Sequence, residues 1–455
     1  MSGNRKLPSG SWSLWLLLGG LFGSSAVAQQ VGPFFLPSIA ITNYDRVLIG
    51  EQEALESGAF VARVGSITSG WYNPAGMLLV KDSTIGGSGS GYEADQIELA
   101  GLSKTGSTTL SIAQLPSYLG GVLGQDVLHS SVWRLGFSIT KPSSWSQGIQ
   151  GGTDATERTS YSTAVSFSTV VPMISVAVAP LPCFRLGIGV GVAVTQLSEE
   201  QTLSTQSLTT TSTSAVLRTL DGGGSVWNLT GNFGAQFDIT EHLTVGATLR
   251  LPGLKVASSG SLTTQDVVST GKQVFFKDLD ASFDYKLPTE VDFGIGWQSK
   301  WFGFEADVRY HAAVTTYNLL ASQNPVETVT TAPDGTPAVI NTPFPGIQNG
   351  AKPVWNWAIG GNVSLGEWWS LHGGFFSDYS PVSSSSQAFF RAVNTYGVTI
   401  GARARSEHFS GSLGFGFNWG SSANFTLTDP ATQVSVSTKL IIRNVQILYA
   451  LTYEF

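Results

Sequence analysis

The residues best suited to acid–base or metal chemistry are the five histidines, His129, His242, His311, His372 and His408. They are scattered, with no H-E-x-x-H and no i,i+4 pair that would turn two imidazoles onto one ion. His242 and His408 follow short turns, where a solvated histidine is the ordinary occupant. There is no G-x-S-x-G elbow to expose a serine nucleophile, and Gly222-Gly223-Gly224 lacks the following lysine of a phosphate loop. Cys183 is the only cysteine, so no intrachain disulfide can form; with only Arg185 as a nearby cation it reads as a structural residue in a turn. Three arginines, Arg250, Arg309 and Arg403, stand on the polar side of alternating segments. There they are either ordinary charges of a wet interior or partners for a carboxylate headgroup. Nothing in these residues calls for a cofactor or a metal.

The segments that carry these residues have period two. Val291, Phe293, Ile295 and Trp297 alternate with Asp292, Gly294, Gly296 and Gln298. After Ser299-Lys300 the pattern resumes, with Phe302, Phe304, Ala306, Val308 and Tyr310 against Glu305, Asp307 and Arg309. The same unit recurs at Leu243–Leu251, Trp355–Leu365, Tyr396–Ala402 and Phe409–Trp419. Successive side chains of a strand point to opposite faces, so one face suits lipid and the other water. A soluble sandwich would have shorter strands and a charged outer face. Segments of about ten residues with aromatics near their ends are the transmembrane barrel pattern. Counting them predicts an all-β, antiparallel barrel of about 14 strands. The last segment places Val445, Ile447, Tyr449, Leu451, Tyr453 and Phe455 on one face and must pair with the first, because lipid satisfies no open edge.

Short turns are expected near Leu181-Cys183, Thr240-Glu241, Ser299-Lys300, Gly366-Glu367 and Ser406-Glu407. Long polar stretches lie between them, at Ser198–Gly224, Pro252–Leu287, Ala312–Lys352, Ser380–Asn394 and Gly420–Thr438. Runs such as Leu208–Ser214 are either unordered or extend strands beyond the bilayer, and the strand preference of Thr favours the second reading.

The composition agrees with this. Only 12% of the 455 residues are charged, and the net charge of -7 argues against a nucleic-acid partner. Arg5 and Lys6, an apolar core Trp12–Phe22 and the small-x-small site Ala26-Val27-Ala28 read as an export signal over 1–28, cleaved before Gln29. That core is too short to cross a bilayer, and no apolar run after Gln29 is long enough to do so as a helix.

Residues 29–79 do not alternate cleanly. They are either an extension below the barrel or a hatch folded inside it, with the barrel proper over 80–455. Trp71-Tyr72-Asn73-Pro74-Ala75-Gly76-Met77 resembles the hatch motif of the outer-membrane long-chain fatty-acid and hydrocarbon transporters, the FadL/TodX type. Leu287-Pro288 with the hairpin that follows, and Asp378-Tyr379-Ser380-Pro381-Val382, are similar to further family motifs in the same order. The stretch Gln29–Ile49, with Pro33-Phe34-Phe35-Leu36-Pro37, is longer than the family's usual lead-in.

The resemblance implies a monomeric Gram-negative outer-membrane barrel closed by an N-terminal hatch, not an enzyme. It implies passive uptake of hydrophobic compounds with sideways release into the membrane, and it places Asn73, Pro74 and Ala75 near the opening. The partners it implies are outer-membrane lipid and lipopolysaccharide, a hydrophobic small molecule, and the barrel-assembly machinery acting on Phe455. The alternatives are a general or substrate-selective porin for small polar solutes, and an outer-membrane enzyme or adhesin.

Overall fold

The computed structural model describes residues 41–45, 47–100, 106–111, 115–154, 157–208, 213–269, 271–331, 335–386, 390–428 and 435–455. Residues 1–28, read as an export signal, and residues 29–40 lie outside the described residues. In the alternating segments the apolar side chains point out and the polar ones in. Phe293 is 58% exposed and Ile295 50%, whereas Asp292 on the same strand is 3% exposed. Burying a large apolar side chain is favourable by about 1.5–3 kcal/mol, so an outer face this apolar is stable against lipid and not against water.

Fourteen strands form the wall. They are β1 (Thr84–Ala100), β2 (Leu115–Leu123), β3 (Trp133–Asp154), β4 (Glu157–Leu181), β5 (Phe184–Leu208), β6 (Thr213–Asp238) and β7 (Leu243–Arg250), then β8 (Glu290–Gln298), β9 (Phe302–His311), β10 (Val354–Ser364), β11 (Trp369–Asp378), β12 (Asn394–Arg405), β13 (Phe409–Thr428) and β14 (Ser435–Glu454). Each pairs antiparallel with the next, and β14 pairs with β1 from Thr84↔Glu454 to Ala100↔Lys439, which closes the cylinder. No helix among the described residues is long and apolar enough to cross a membrane; the crossing elements are strands.

The short turns fall where the sequence places them, all at one end of the cylinder. Four of the five long polar stretches need correction, because most of their length is strand; Ser380–Asn394 is not. β5 and β6 run on through Ser198–Gly224 as far as Leu208 and from Thr213, with residues 209–212 outside the described set. β13 and β14 likewise occupy most of Gly420–Thr438. Pro252–Leu287 holds the paired strands Leu254–Val268 and Gln273–Phe283. Ala312–Lys352 holds four more strands, at Val314–Ala321, Pro325–Thr331, Pro337–Pro343 and Ile347–Ala351. Beyond the bilayer both faces meet water or other strands, so the apolar alternation fades while the ladder bonds continue. At 26 residues β6 spans about 80 Å, far more than the apolar band of a membrane barrel, about 25 Å.

The interior divides in two. Towards the long-strand end it is filled by an apolar cluster that includes Trp145, Phe167, Leu220, Phe276, Phe283 and Tyr285. Phe167 meets Tyr285 edge-on at 5.1 Å, and Phe276 stacks on Phe344 at 4.4 Å. Towards the short-turn end the lumen holds the chain segment that precedes β1.

Candidate functional site

That segment is the hatch. It contains two single-turn helices, α1 (Gln52–Leu55) and α2 (Ser69–Tyr72), and a 3-10 helix over Pro74–Leu79. Pro74 opens the 3-10 helix, where its missing N–H costs nothing and its fixed φ is already suitable. Asn73 is fully buried. Its Oδ1 accepts the Ala75 N–H at 3.2 Å, and its Nδ2 donates to the carbonyls of Val61 and Ala235, each at 2.9 Å. One side chain therefore caps the 3-10 helix, ties two parts of the hatch together and fixes both to β6. The close approach depends on small residues in the wall. A Cβ at Gly234 would land on Asn73 Oδ1 and the Pro74 ring, and one at Gly187 would land on the Pro74–Ala75 peptide.

The wall's polar lumen face meets the backbone of the hatch group by group. Glu305 and Asp307 on β9 accept four consecutive N–H groups: Phe60 at 2.8 Å and Val61 at 3.2 Å on Asp307, and Ala62 at 2.5 Å and Arg63 at 2.9 Å on Glu305. Asn232 and Thr248 donate to the Gly70 and Tyr72 carbonyls at 2.9 and 2.8 Å. Thr399 donates to the Leu55 carbonyl at 2.6 Å. A buried loop must place its peptide groups somewhere, and here the inward half of the period-two pattern receives them.

Each of the three arginines read from sequence as lumen residues faces a carboxylate. Arg309 binds Asp45 of the hatch at 2.8 Å. Arg403 binds Glu51 of the hatch through Nε at 2.6 Å. Arg250 pairs with Glu290 of the neighbouring strand β8, donates to the Trp71 carbonyl at 3.0 Å and lies 4.0 Å above the centre of the Trp71 ring. Within the hatch, burial would raise the Asp45 carboxyl, but Arg309 and His311 beside it hold it well below the usual range. Glu53 has no cation to offset its burial and is pushed up.

Sequence reasoning missed the hatch-side partners. Glu56 binds Arg63 at 2.5 Å and Asn362 at 2.9 Å, and its Oε1 lies 2.7 Å from His372 Nδ1. Ser370 Oγ lies 2.7 Å from His372 Nε2, so Ser370, His372 and Glu56 stand in the order of a serine relay. The carboxylate of that row is also bonded to Arg63 and Asn362, which makes the row part of the hatch anchorage. His242 and His408 lie exposed after their turns, as read, with Nδ1 against the Gln298 and Glu454 carbonyls.

Between the hatch and the apolar outer cluster lies a cavity walled by Trp71, Val171, Met173, Leu251, Leu287 and Tyr285. Its volume is about 70 Å³. Pro142 lines it too, and also lines the adjoining charged space beside Asp45, Arg309 and Asp292. At Pro142 the wall is irregular. The described pairing of β2 with β3 ends at Tyr118↔Thr140, and the register of β3 against β4 shifts between Thr140 and Ser143. Proline has no N–H to give a ladder, which is why it stands at such breaks. The hydroxyls of Thr140 on β3 and Ser175 on β4 are buried without a hydrogen-bond partner.

No protein-family profile and no curated protein matches the sequence. Solved structures match its fold. A FadL homologue of Pseudomonas aeruginosa superposes with a TM-score of 0.60 at 11% identity, over 92% of this chain and 100% of that one. The toluene transporter TodX of P. putida gives 0.59 at 11% identity, over 91% and 99%. The toluene transporter TbuX of Ralstonia pickettii gives 0.57 at 14% identity, over 91% and 99%. The chain thus has the FadL/TodX-like fold, a closed 14-stranded antiparallel barrel with a hatch in its lumen.

Proposed function

We propose that this chain is a channel of the Gram-negative outer membrane that takes up hydrophobic compounds passively and releases them sideways into the membrane. The supporting observation is the apolar interior, which runs from the outer cluster through Tyr285 to the cavity at Trp71 and Met173. A porin for polar solutes needs a wet lumen from mouth to mouth. A hydrocarbon chain gains about 0.8 kcal/mol per CH₂ on leaving water, so an apolar passage ending beside the bilayer gives it a downhill route. The hatch blocks the straight exit, and the irregular wall at Pro142 adjoins the cavity, which favours Pro142 as the lateral exit. Transporters of this fold for toluene, an uncharged arene, fit the same reading.

In this reading residues 1–28 are an export signal, 29–79 the hatch and 80–455 the barrel. Asn73, Pro74 and Ala75 keep the hatch in register with the exit. The partners are outer-membrane lipid, lipopolysaccharide and, through Phe455, the assembly machinery; the barrel works as a monomer and carries out no catalysis. Proteoliposomes test the proposal: the full chain should speed entry of toluene and of oleate-sized hydrophobes over empty vesicles, and Asn73→Ala and Pro74→Ala should change the rate. Uptake equal to that of empty vesicles would remove the function, and unchanged uptake in both variants would remove the role of the motif.

A further inference from the structure

The cavity at Trp71 has a guanidinium in its wall, and the question is whether that charge is available to a ligand. Arg250 Nη1 is on the Glu290 carboxylate, Nη2 is on the Trp71 carbonyl, and the indole covers one face of the group. Only Nε is left without a partner. In the adjoining space Arg309 is bound to Asp45. Asp292, 3% exposed, lines that same space, and its Oδ1 has no hydrogen-bond partner. Counted around the two connected spaces, the guanidiniums of Arg250 and Arg309 face the carboxylates of Asp45, Glu290 and Asp292. The His311 imidazole lies 3.5 Å from both Asp45 and Glu290, so the cations around these spaces already have carboxylate partners.

A ligand carboxylate entering this cavity would lose its hydration, find no free cation and meet Glu290 and Asp292. An uncharged apolar molecule loses nothing of the kind and gains contact with Trp71, Met173, Leu251 and Leu287. A site can select by making the wrong ligand unfavourable as well as by binding the right one.

We propose that Glu290, by occupying Arg250, makes the cavity selective for uncharged hydrophobic molecules over carboxylates of the same size. Glu290 is thereby a specificity-determining residue, and the ligand class is the neutral hydrocarbon-like molecule rather than the ionised fatty acid. This rests on the uptake reading above and narrows it.

The test uses two ligands of one length that differ in charge, decanamide and decanoate, titrated calorimetrically at pH 8 into the full-length barrel in neutral detergent. Wild-type protein should bind the amide at least about tenfold more tightly. In Glu290→Gln the freed Arg250 should raise decanoate affinity and reduce that preference by about tenfold or more. Glu290→Gln with Arg250→Gln should restore the preference for the amide, and heat-modifiable gel mobility reports that each variant is folded. Equal or tighter binding of decanoate by wild type overturns the proposal, as does a Glu290→Gln variant, folded, with the wild-type ratio. Should Glu290→Gln not fold, the wild-type ratio and the double variant still decide. Binding of neither ligand to any form overturns the uptake reading itself and this inference with it, whereas equal binding of both removes only the selectivity.

Discussion

Asn73 shows how much of the hatch depends on single side chains. Replacing it with alanine takes the 2.9 Å amide donor from the buried carbonyls of Val61 and Ala235 and uncaps the 3-10 helix. A buried group left without its partner costs about 1–3 kcal/mol, so Asn73→Ala should loosen the hatch by that order. Faster amide exchange at residues 60–80 in the intact barrel would show it, and unchanged exchange would refute it. Glu53 and Asp45 make a second, signed prediction. Burial raises Glu53, so its favourable contribution is complete below the ordinary glutamate pKa and is lost as pH rises through the shifted value. Asp45 is lowered, so its contribution is present above the ordinary aspartate pKa and lost only as pH falls through a value below it. Glu53→Gln should therefore slow exchange in the hatch at pH 8, with the difference shrinking towards pH 4. Faster exchange at pH 8 would contradict the sign. Asn73 stood out in the sequence because Asn-Pro-Ala-Gly is a compact motif. Glu53 did not, since nothing local marks a carboxylate whose burial comes from strands hundreds of residues away.

At the scale of elements, sequence resolved the strands inside the membrane and blurred those outside it. β7 to β10 and β12 to β14 could be read because lipid on one side and hatch on the other force alternation residue by residue. The outer parts of β13 and β14 could not, and those of β5 and β6 only through the strand preference of Thr in Leu208–Ser214, because Ser/Thr-rich strands clear of the bilayer keep the ladder and lose the pattern. Glu305, Asp307 and Arg309 were visible as one polar face of β9; that the face grips four peptide groups and Asp45 was not, because the partner segment has no periodicity of its own. The break at Pro142 was equally hidden, since a lone proline in an alternating run shows neither which neighbour it fails to pair nor what lies behind it. If the break is the exit, closing it should stop release without emptying the cavity. Cysteines replacing Tyr118 and Thr140, paired across β2 and β3 at the last described rung, should when oxidised slow proteoliposome uptake several-fold and recover it on reduction. Equal uptake in both redox states would move the exit elsewhere.

Over the whole molecule the anchorage of the hatch thins at one place. Carboxylates, amides and hydroxyls of β6 to β13 bind it at Asp45, Glu51, Glu56, Phe60–Arg63, Gly70 and Tyr72, and Ser88 of β1, Tyr118 of β2 and Thr452 of β14 bind it at Gly50, Ile67 and Glu51, while on the lumen side of β3 and β4 the Thr140 and Ser175 hydroxyls have no partner. A plug held more loosely at one stretch of wall can yield there without leaving the barrel, and that stretch carries the irregular wall and the apolar cavity. Passage of a hydrophobe then needs only a local shift, because a ligand moves an equilibrium by its preference for one state and no further. Ions have no such route. Planar-bilayer recordings of the wild type should accordingly show conductance far below that of an open barrel of this strand number. Glu305→Gln with Asp307→Asn should break this. The amides keep an acceptor oxygen but lose the charge that strengthens four N–H bonds, and they turn N–H donors towards N–H donors. With its strongest anchorage gone, the hatch should spend more time undocked, and conductance should rise several-fold in bursts. A folded double variant as silent as wild type would mean that β9 does not hold the hatch, and that the plug is kept in place by the apolar contacts of Phe60, Val64 and Tyr72 instead.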